Sequence, residues 1–112
     1  MKNTKWTIVF LFVLMTTGAV AYGQEVINSQ KVWSEARHCA FTDLIYYKNA
    51  FFCCFRESNA HVPQRWADDG KIRVLKSKDG KDWQSFALLE LPGVDLRDPK
   101  ISVMPDGRLM LT

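Results

Sequence analysis

The chain has 112 residues, of which 47% are hydrophobic and 24% are charged. These values are typical of a globular domain and exclude a disordered or collagen-like chain and a disulfide-dense scaffold. Its 15 Lys and Arg residues against 12 Asp and Glu residues give a net charge of +3, which is too small to indicate a nucleic-acid partner. The length allows one small domain.

The N-terminal region predicts a secretory signal peptide over residues 1–23. Two lysines precede the apolar run Trp6–Met15, and the small-residue sequence Ala19-Val20-Ala21 follows it. Cleavage after Ala21 or after Gly23 fits this pattern, and the alternative is an uncleaved N-terminal anchor. The apolar run is too short for a stable membrane anchor. We therefore expect an exported protein, periplasmic or secreted, with no membrane anchor after cleavage.

The mature chain begins with a lead-in over 24–37 and then shows short β-rich runs separated by turn residues. No window has a sustained helical period, so the pattern favours an all-β antiparallel fold. The run Phe51–Phe55 is apolar on both faces, which predicts a strand covered on both sides. The six predicted strands are Ala40–Tyr47, Phe51–Arg56, Ile72–Ser77, Gln84–Leu91, Lys100–Met104 and Leu109–Thr112.

The three cysteines are predicted to be free, small and mostly buried residues. A two-residue turn at Lys48-Asn49 fixes the register of the first hairpin. The register pairs Leu44 with Cys53, Asp43 with Cys54, and Ser58 with Cys39. This arrangement keeps Cys39 far from the other two thiols, whereas a disulfide needs Cα atoms within about 7 Å.

A strand–turn–strand pattern occurs twice at an offset of 57 residues, which places 41–54 on 98–111. Recurrence after about four strands is the layout of a β-propeller of four-stranded antiparallel blades. We expect blade one over about 38–91 and the start of blade two over about 98–112. A propeller needs at least four blades. The chain is therefore expected to be the N-terminal part of a longer protein, an incomplete propeller over 38–112 with about one and a half blades.

The most specific motif is the turn Ser77-Lys78-Asp79-Gly80-Lys81-Asp82-Trp83. The side chains of Ser77 and Asp79 can accept hydrogen bonds from turn N–H groups. Gly80 can adopt a positive φ, and Trp83 can pack back onto the sheet. The sequence resembles the Asp-box of sialidases, S-x-D-x-G-x-x-W, with one residue fewer, and that resemblance implies a structural role. The alternative is a plain hairpin turn.

Four further segments, 40–44, 55–57, 69–74 and 95–100, resemble the opening of sialidase-like proteins with BNR/Asp-box repeats. The resemblance implies a six-bladed propeller and an exo-acting glycoside hydrolase. The fragment itself is expected to be inactive without the rest of the propeller. The implied general acid/base is Asp69, next to a second acid, Asp68, and the implied supporting carboxylate is Glu57. A general acid needs a pKa raised by burial or by a neighbouring charge.

The resemblance also implies contacts to a carbohydrate substrate whose carboxylate is bound by arginine. The implied substrate-binding residues are Arg56, Arg97, Asp98 and Asp43. Ala40 stands where sialidases have their first arginine, with Arg37 three residues earlier. This departure favours the alternative of a non-catalytic propeller that binds glycans or protein.

A third resemblance is to invertase-like five-bladed glycosidases, carried by Arg97-Asp98-Pro99. In that family the first strand carries an Asp nucleophile, which would fall on Ala40. The two histidines have no metal-ligand spacing, and the sequence contains no glycine-rich phosphate loop. We therefore predict no metal and no cofactor.

Overall fold

The computed structural model describes residues 23, 25–63 and 70–112. The described residues form six strands and no helix, so the all-β prediction is confirmed. The strands are β1 (His38–Tyr47), β2 (Ala50–Ser58), β3 (Lys71–Ser77), β4 (Gln84–Leu89), β5 (Ile101–Val103) and β6 (Leu109–Leu111). No helix in the described part of the chain is long and apolar enough to span a membrane. The predicted signal peptide lies outside these residues except for its last position.

Strands β1 to β4 form one antiparallel sheet in chain order, and β5 and β6 form a separate two-stranded hairpin. Because neighbouring strands alternate in direction, the sheet has two distinct ends. The turn end carries the β1–β2 turn at 48–49 and the β3–β4 turn at 78–83. The loop end carries the start of β1, the described parts of the β2–β3 connection at 59–63 and 70, and the segment 90–100 after β4. The candidate site lies at the loop end.

The first hairpin has the predicted turn and, near it, the predicted register. Lys48 and Asn49 both have positive φ values, 45° and 61°, as in the type I′ turns that match the twist of paired strands. The predicted pairs of Leu44 with Cys53 and of Asp43 with Cys54 are present.

The predicted register is wrong beyond a β-bulge in β1. An extra residue lies between Ala40 and Asp43, so Cys39 pairs with Glu57 and not with Ser58. Phe41, within the bulge, has a φ of 60°. A bulge adds one residue to one strand and shifts all pairs after it.

All three cysteines are free, and two of them are buried. Desolvation by burial raises the pKa of Cys53 to about 11, which keeps this thiol protonated and unreactive at neutral pH. The expectation of burial is wrong for Cys39, which is exposed. Cys39 lies near the start of β1, which is an edge strand of the sheet with no strand on its outer side among the described residues.

Strand β2 is buried along most of its length because both faces of the sheet are covered, as the apolar run predicted. Alternate residues of a strand point to opposite faces. The hairpin face carries Ala50, Phe52, Cys54, Ile72 and Val74 and packs against the β5–β6 hairpin. The lead-in face carries Cys53, Phe55 and Leu75 and packs against Val32 and Trp33 of the lead-in and against Trp83.

The β5–β6 hairpin repeats the β1–β2 hairpin with one added loop residue. Its three-residue loop ends at Gly107, which has a φ of 80° and donates a hydrogen bond to the Met104 carbonyl at 2.8 Å. The 57-residue offset without a gap therefore aligns β1 with β5 but does not align β2 with β6. At the start of the repeat, Phe41 and Asp98 are equivalent, and both have positive φ, 60° and 48°.

The turn between β3 and β4 is capped by its own side chains. The backbone N–H of Gly80 donates to Ser77 Oγ at 2.9 Å, and Oδ1 of Asp79 accepts from two following backbone N–H groups, each at 2.9 Å. Gly80 has a φ of 75°. Trp83 Nε1 donates to the Gly80 carbonyl at 3.0 Å, and its ring packs on the lead-in face. Through Trp83, the turn therefore packs against the core on the lead-in face of the sheet.

We expect Trp83→Ala to lower the free energy of unfolding of the full chain by about 3 kcal/mol, because it deletes a ring packed on the lead-in face. Trp83→Phe keeps an aromatic ring and loses the hydrogen bond to Gly80, and should cost about 1 kcal/mol. Denaturant unfolding measures both. Equal stability of Trp83→Ala and wild type would contradict the packing role of this ring.

The turn should also give the stability a pH dependence at low pH. Backbone N–H donors of Asp82 and Lys81 lower the pKa of Asp79 from 3.8 to about 2. Because the folded value is the lower one, the ionised carboxylate stabilises the fold above the unfolded value. This stabilisation is lost as pH falls through the folded value. Thermal unfolding against pH should show the gap between wild type and Asp79→Ala narrowing over this window; a constant gap would contradict it.

Candidate functional site

An ion pair between the buried Arg56 and the partly buried Asp95 lies at the loop end. The Arg56 side chain is fully buried. Its Nε and Nη2 donate to Asp95 Oδ1 at 2.9 and 2.7 Å. Its Nη1 donates to Ser58 Oγ at 2.8 Å and to the Ala60 carbonyl at 3.2 Å. A buried guanidinium is tolerated only when its charge and its donors are paired in this way.

Gly70 forms one wall of this ion pair and has no room for a side chain. Its N–H donates to Asp95 Oδ1 at 2.8 Å, and its carbonyl accepts from the Leu96 N–H at 3.0 Å. A Cβ atom at this position would overlap Arg56 Nε and Asp95 Oδ1, and would lie 2.7 Å from the Leu96 carbonyl. The end of the β2–β3 connection is therefore in direct backbone contact with the segment after β4.

Asp95 holds a second arginine at the surface. Arg97 Nε donates to Asp95 Oδ2 at 2.6 Å, and its Nη2 donates to the His61 carbonyl at 3.1 Å. Burial acts to raise the pKa of Asp95, but hydrogen bonds from Arg56 and Arg97 outweigh it and lower the pKa. The Asp95 carboxylate therefore stays ionised and orients two guanidinium groups at once.

Arg97 is the solvent-facing member of this cluster. Its side chain is 35% exposed, against 0% for Arg56. Two of its three nitrogens are held by Asp95 and His61, and within the described ranges its Nη1 has no protein partner. An oriented guanidinium with free donors is suited to bind a carboxylate or sugar hydroxyls.

Glu57 belongs to a separate cluster on the lead-in face. Arg73 Nε and Nη2 donate to its two carboxylate oxygens at 3.1 and 2.7 Å, and Trp33 Nε1 donates to it at 3.1 Å. The Arg73 guanidinium carbon lies 4.8 Å from the centre of the Trp33 ring, a cation–π contact. The structure therefore does not bring Glu57 together with Arg56 and Arg97, because adjacent residues of β2 point to opposite faces.

Asp43 connects the two hairpins. Its Oδ2 accepts from the Ile101 N–H at 3.0 Å and its Oδ1 accepts from the Leu44 N–H at 3.0 Å. These backbone hydrogen bonds, led by that of Ile101, lower the pKa of Asp43. Asp98 is exposed and precedes the buried Pro99 at the loop end.

The two predicted catalytic acids, Asp68 and Asp69, lie outside the described residues. The assignment of the general acid to Asp69 therefore stays a prediction. Among the residues that the structure describes, no group of three or more His, Cys, Asp or Glu side chains is placed to hold a metal ion.

Sequence reasoning missed the residues that organise the loop end. Asp95 was not singled out as a site residue, although it contacts both of the arginines that were. Arg56 and Asp95 are 39 residues apart, and no motif spans that separation. The Asp95-Leu96-Arg97 spacing was the available signal, because residues two apart on an extended segment point to the same side.

Comparisons with known proteins find no relative of this chain. No protein-family model matches it. No curated protein and no solved structure matches it significantly.

We expect Gly70→Ala to destabilise the full chain by about 3 kcal/mol, because the added methyl group forces Arg56 and Asp95 apart. The matched control is Gly93→Ala. Gly93 has a φ of 75° and open space around its Cα, so its substitution costs only backbone strain, about 1 kcal/mol. Denaturant unfolding of the two variants compares them. A Gly70→Ala variant no less stable than Gly93→Ala would contradict the close packing at Gly70.

Proposed function

We propose that the chain is part of an exported, sialidase-like β-propeller that hydrolyses a glycosidic bond at the loop end of its blades. The observation that carries the proposal is Arg97, a surface guanidinium held by Asp95 and the His61 carbonyl, whose Nη1 has no partner among the described residues. Carboxylate-bearing sugars are bound by such oriented arginines. The export assignment rests on the predicted signal peptide.

The arrangement of the strands supports the propeller. A four-stranded antiparallel sheet in chain order is the layout of a propeller blade. The following hairpin repeats the first one and packs on the face of the sheet, as the start of a second blade does. Since a closed propeller has at least four blades, the proposal requires further blades beside the sheet and hairpin described here.

The two ends of the sheet would then have different roles. The Asp-box-like turn lies at the turn end, away from Arg97. The side chains of Ser77, Asp79 and Trp83 hydrogen-bond within the turn, and Gln30 of the lead-in donates to the Lys81 carbonyl. The loop end carries Arg97 and Asp98, and these are equivalent in the repeat to Ala40 and Phe41. In a propeller, equivalent positions of successive blades face the same central channel, so this end would line the substrate funnel.

The proposed chemistry uses Asp69 as general acid and Arg97 as the contact to the substrate anion. Arg56 is fully buried, so a substrate would reach it only by displacing Asp95. The carboxylate of Glu57 is paired with the guanidinium of Arg73. We therefore propose that Arg56 and Glu57 support the site by holding the loops and the lead-in, while Asp98 and Asp69 face the substrate.

A second candidate is a non-catalytic propeller that binds glycans or protein. The observation that favours it is Ala40, whose position in the first strand carries an arginine in sialidases and an aspartate nucleophile in invertase-like enzymes. A methyl group at this position supplies neither charge nor a nucleophile. Both candidates place the ligand at the loop end, and only the first predicts turnover of a glycoside.

We expect the complete propeller protein that contains this chain to cleave an aryl sialoside. Asp69→Asn should lower its turnover by about a hundredfold, because general acid catalysis contributes about 10²–10⁴-fold. The adjacent Asp68→Asn is the matched control and should change turnover little. The assay uses aryl sialosides beside other aryl glycosides and a β-fructoside, which tests the invertase-like alternative.

The outcomes separate the candidates. Loss of turnover in Asp68→Asn or Glu57→Gln, with Asp69→Asn unchanged, would overturn the assignment of the general acid and leave the hydrolase. Retention of full activity by all three variants, or no cleavage of any glycoside, would favour the binding propeller.

A further inference from the structure

Phe41 has a backbone conformation that a bulky residue rarely adopts. Its φ is 60°, in the left-handed region where a side chain such as Phe is a true outlier. It lies in the bulge of β1, and its side chain is 38% exposed. Such strain persists only where the surrounding structure enforces it, and it concentrates at functional sites. Burial of the ring does not account for the strain, because much of the ring remains in contact with solvent.

Phe41 belongs to an aromatic platform, which we define as Phe41, His61 and His38. The ring centroids of Phe41 and His61 are 5.8 Å apart, and those of His61 and His38 are 5.5 Å apart. His38 Nδ1 is buried and, in the part of the chain that the structure describes, has no hydrogen-bond partner. Buried polar atoms are almost always paired. We therefore expect this nitrogen to form a hydrogen bond with a polar group from outside these residues.

The aromatic platform lies beside Arg97. The carbonyl of His61 accepts a hydrogen bond from Arg97 Nη2 at 3.1 Å, so one residue contributes both a platform ring and an anchor for the guanidinium. The repeat adds an independent observation, since Asp98, next to Arg97, is the equivalent of Phe41 and shares its positive φ. The same unusual backbone therefore occurs at equivalent positions of both hairpins at the loop end.

We propose that the aromatic platform and Arg97 together bind one sugar ring that carries an acid group. The apolar C–H face of the ring packs against the aromatic ring of Phe41 and the imidazole of His61. The carboxylate of the sugar pairs with the free Nη1 of Arg97. The carboxylate contact rests on the proposed function, whereas the aromatic platform is an addition to it.

The decisive variant is Phe41→Gly. Glycine adopts a positive φ at no steric cost, so the variant relieves the strain while it removes the ring. We expect a melting temperature equal to or above that of wild type, with affinity for the sugar lowered by about tenfold. Phe41→Trp keeps an aromatic surface and should retain binding. Phe86→Ala, which removes a ring that is 60% exposed on β4, is the control for the loss of an exposed aromatic ring elsewhere.

Binding is measured by calorimetric titration of the complete propeller protein that contains this chain. The ligands are the methyl glycosides of sialic acid and glucuronic acid, with methyl galactoside as the neutral reference. If Phe41→Gly keeps wild-type affinity, the proposed role of the aromatic platform is overturned and the proposed function stays in place. Phe41→Gly that lowers the melting temperature also overturns the platform, because the ring is then a packing residue. No binding or cleavage of any sugar by wild type overturns both proposals.

Discussion

The ion pair between the buried Arg56 and the partly buried Asp95 is the interaction on which the loop end depends. It joins β2 to the segment after β4, and the N–H of Gly70 adds the end of the β2–β3 connection to the same carboxylate. Removing one member of a buried pair leaves an uncompensated charge and costs about 3–5 kcal/mol. Detaching the segment that carries Arg97 from the sheet would therefore incur this free-energy cost. A structural ion pair and a candidate binding group thus share one carboxylate.

Strand β2 organises the molecule because it presents a charged cluster on each face. Arg56 reaches the hairpin face and Glu57 reaches the lead-in face, where Arg73 and Trp33 engage it. Each cluster attaches a segment from outside the sheet, the segment after β4 on one side and the lead-in on the other. The turn end is held differently, by local side-chain caps and by packing of Trp83. The sheet is therefore a scaffold with a rigid turn end and a loop end held by ion pairs.

This arrangement is suited to the proposed binding of an acidic sugar. A single oriented guanidinium with exposed donors, next to an aromatic ring held in a strained conformation, gives both charge and an apolar surface within one loop cluster. Preorganised groups lose little freedom when a ligand binds. The strain at Phe41 is a stability cost at the site. Because Asp95 holds both Arg56 and Arg97, binding and stability are coupled at this end of the sheet.

Local features of the fold followed from the sequence alone. The strands, the turn at Lys48-Asn49, the register beside it and the capped turn at 77–83 depend on residues close together in the chain, where turn chemistry and apolar alternation act directly. The bulge at Phe41, the exposure of Cys39 and the pairing of Arg56 with Asp95 were decided only by the tertiary structure. Each depends on which distant segments cover a strand. Packing of both sheet faces and the need to pair every buried charge decide which segments these are. Neither requirement leaves a short-range pattern in the sequence.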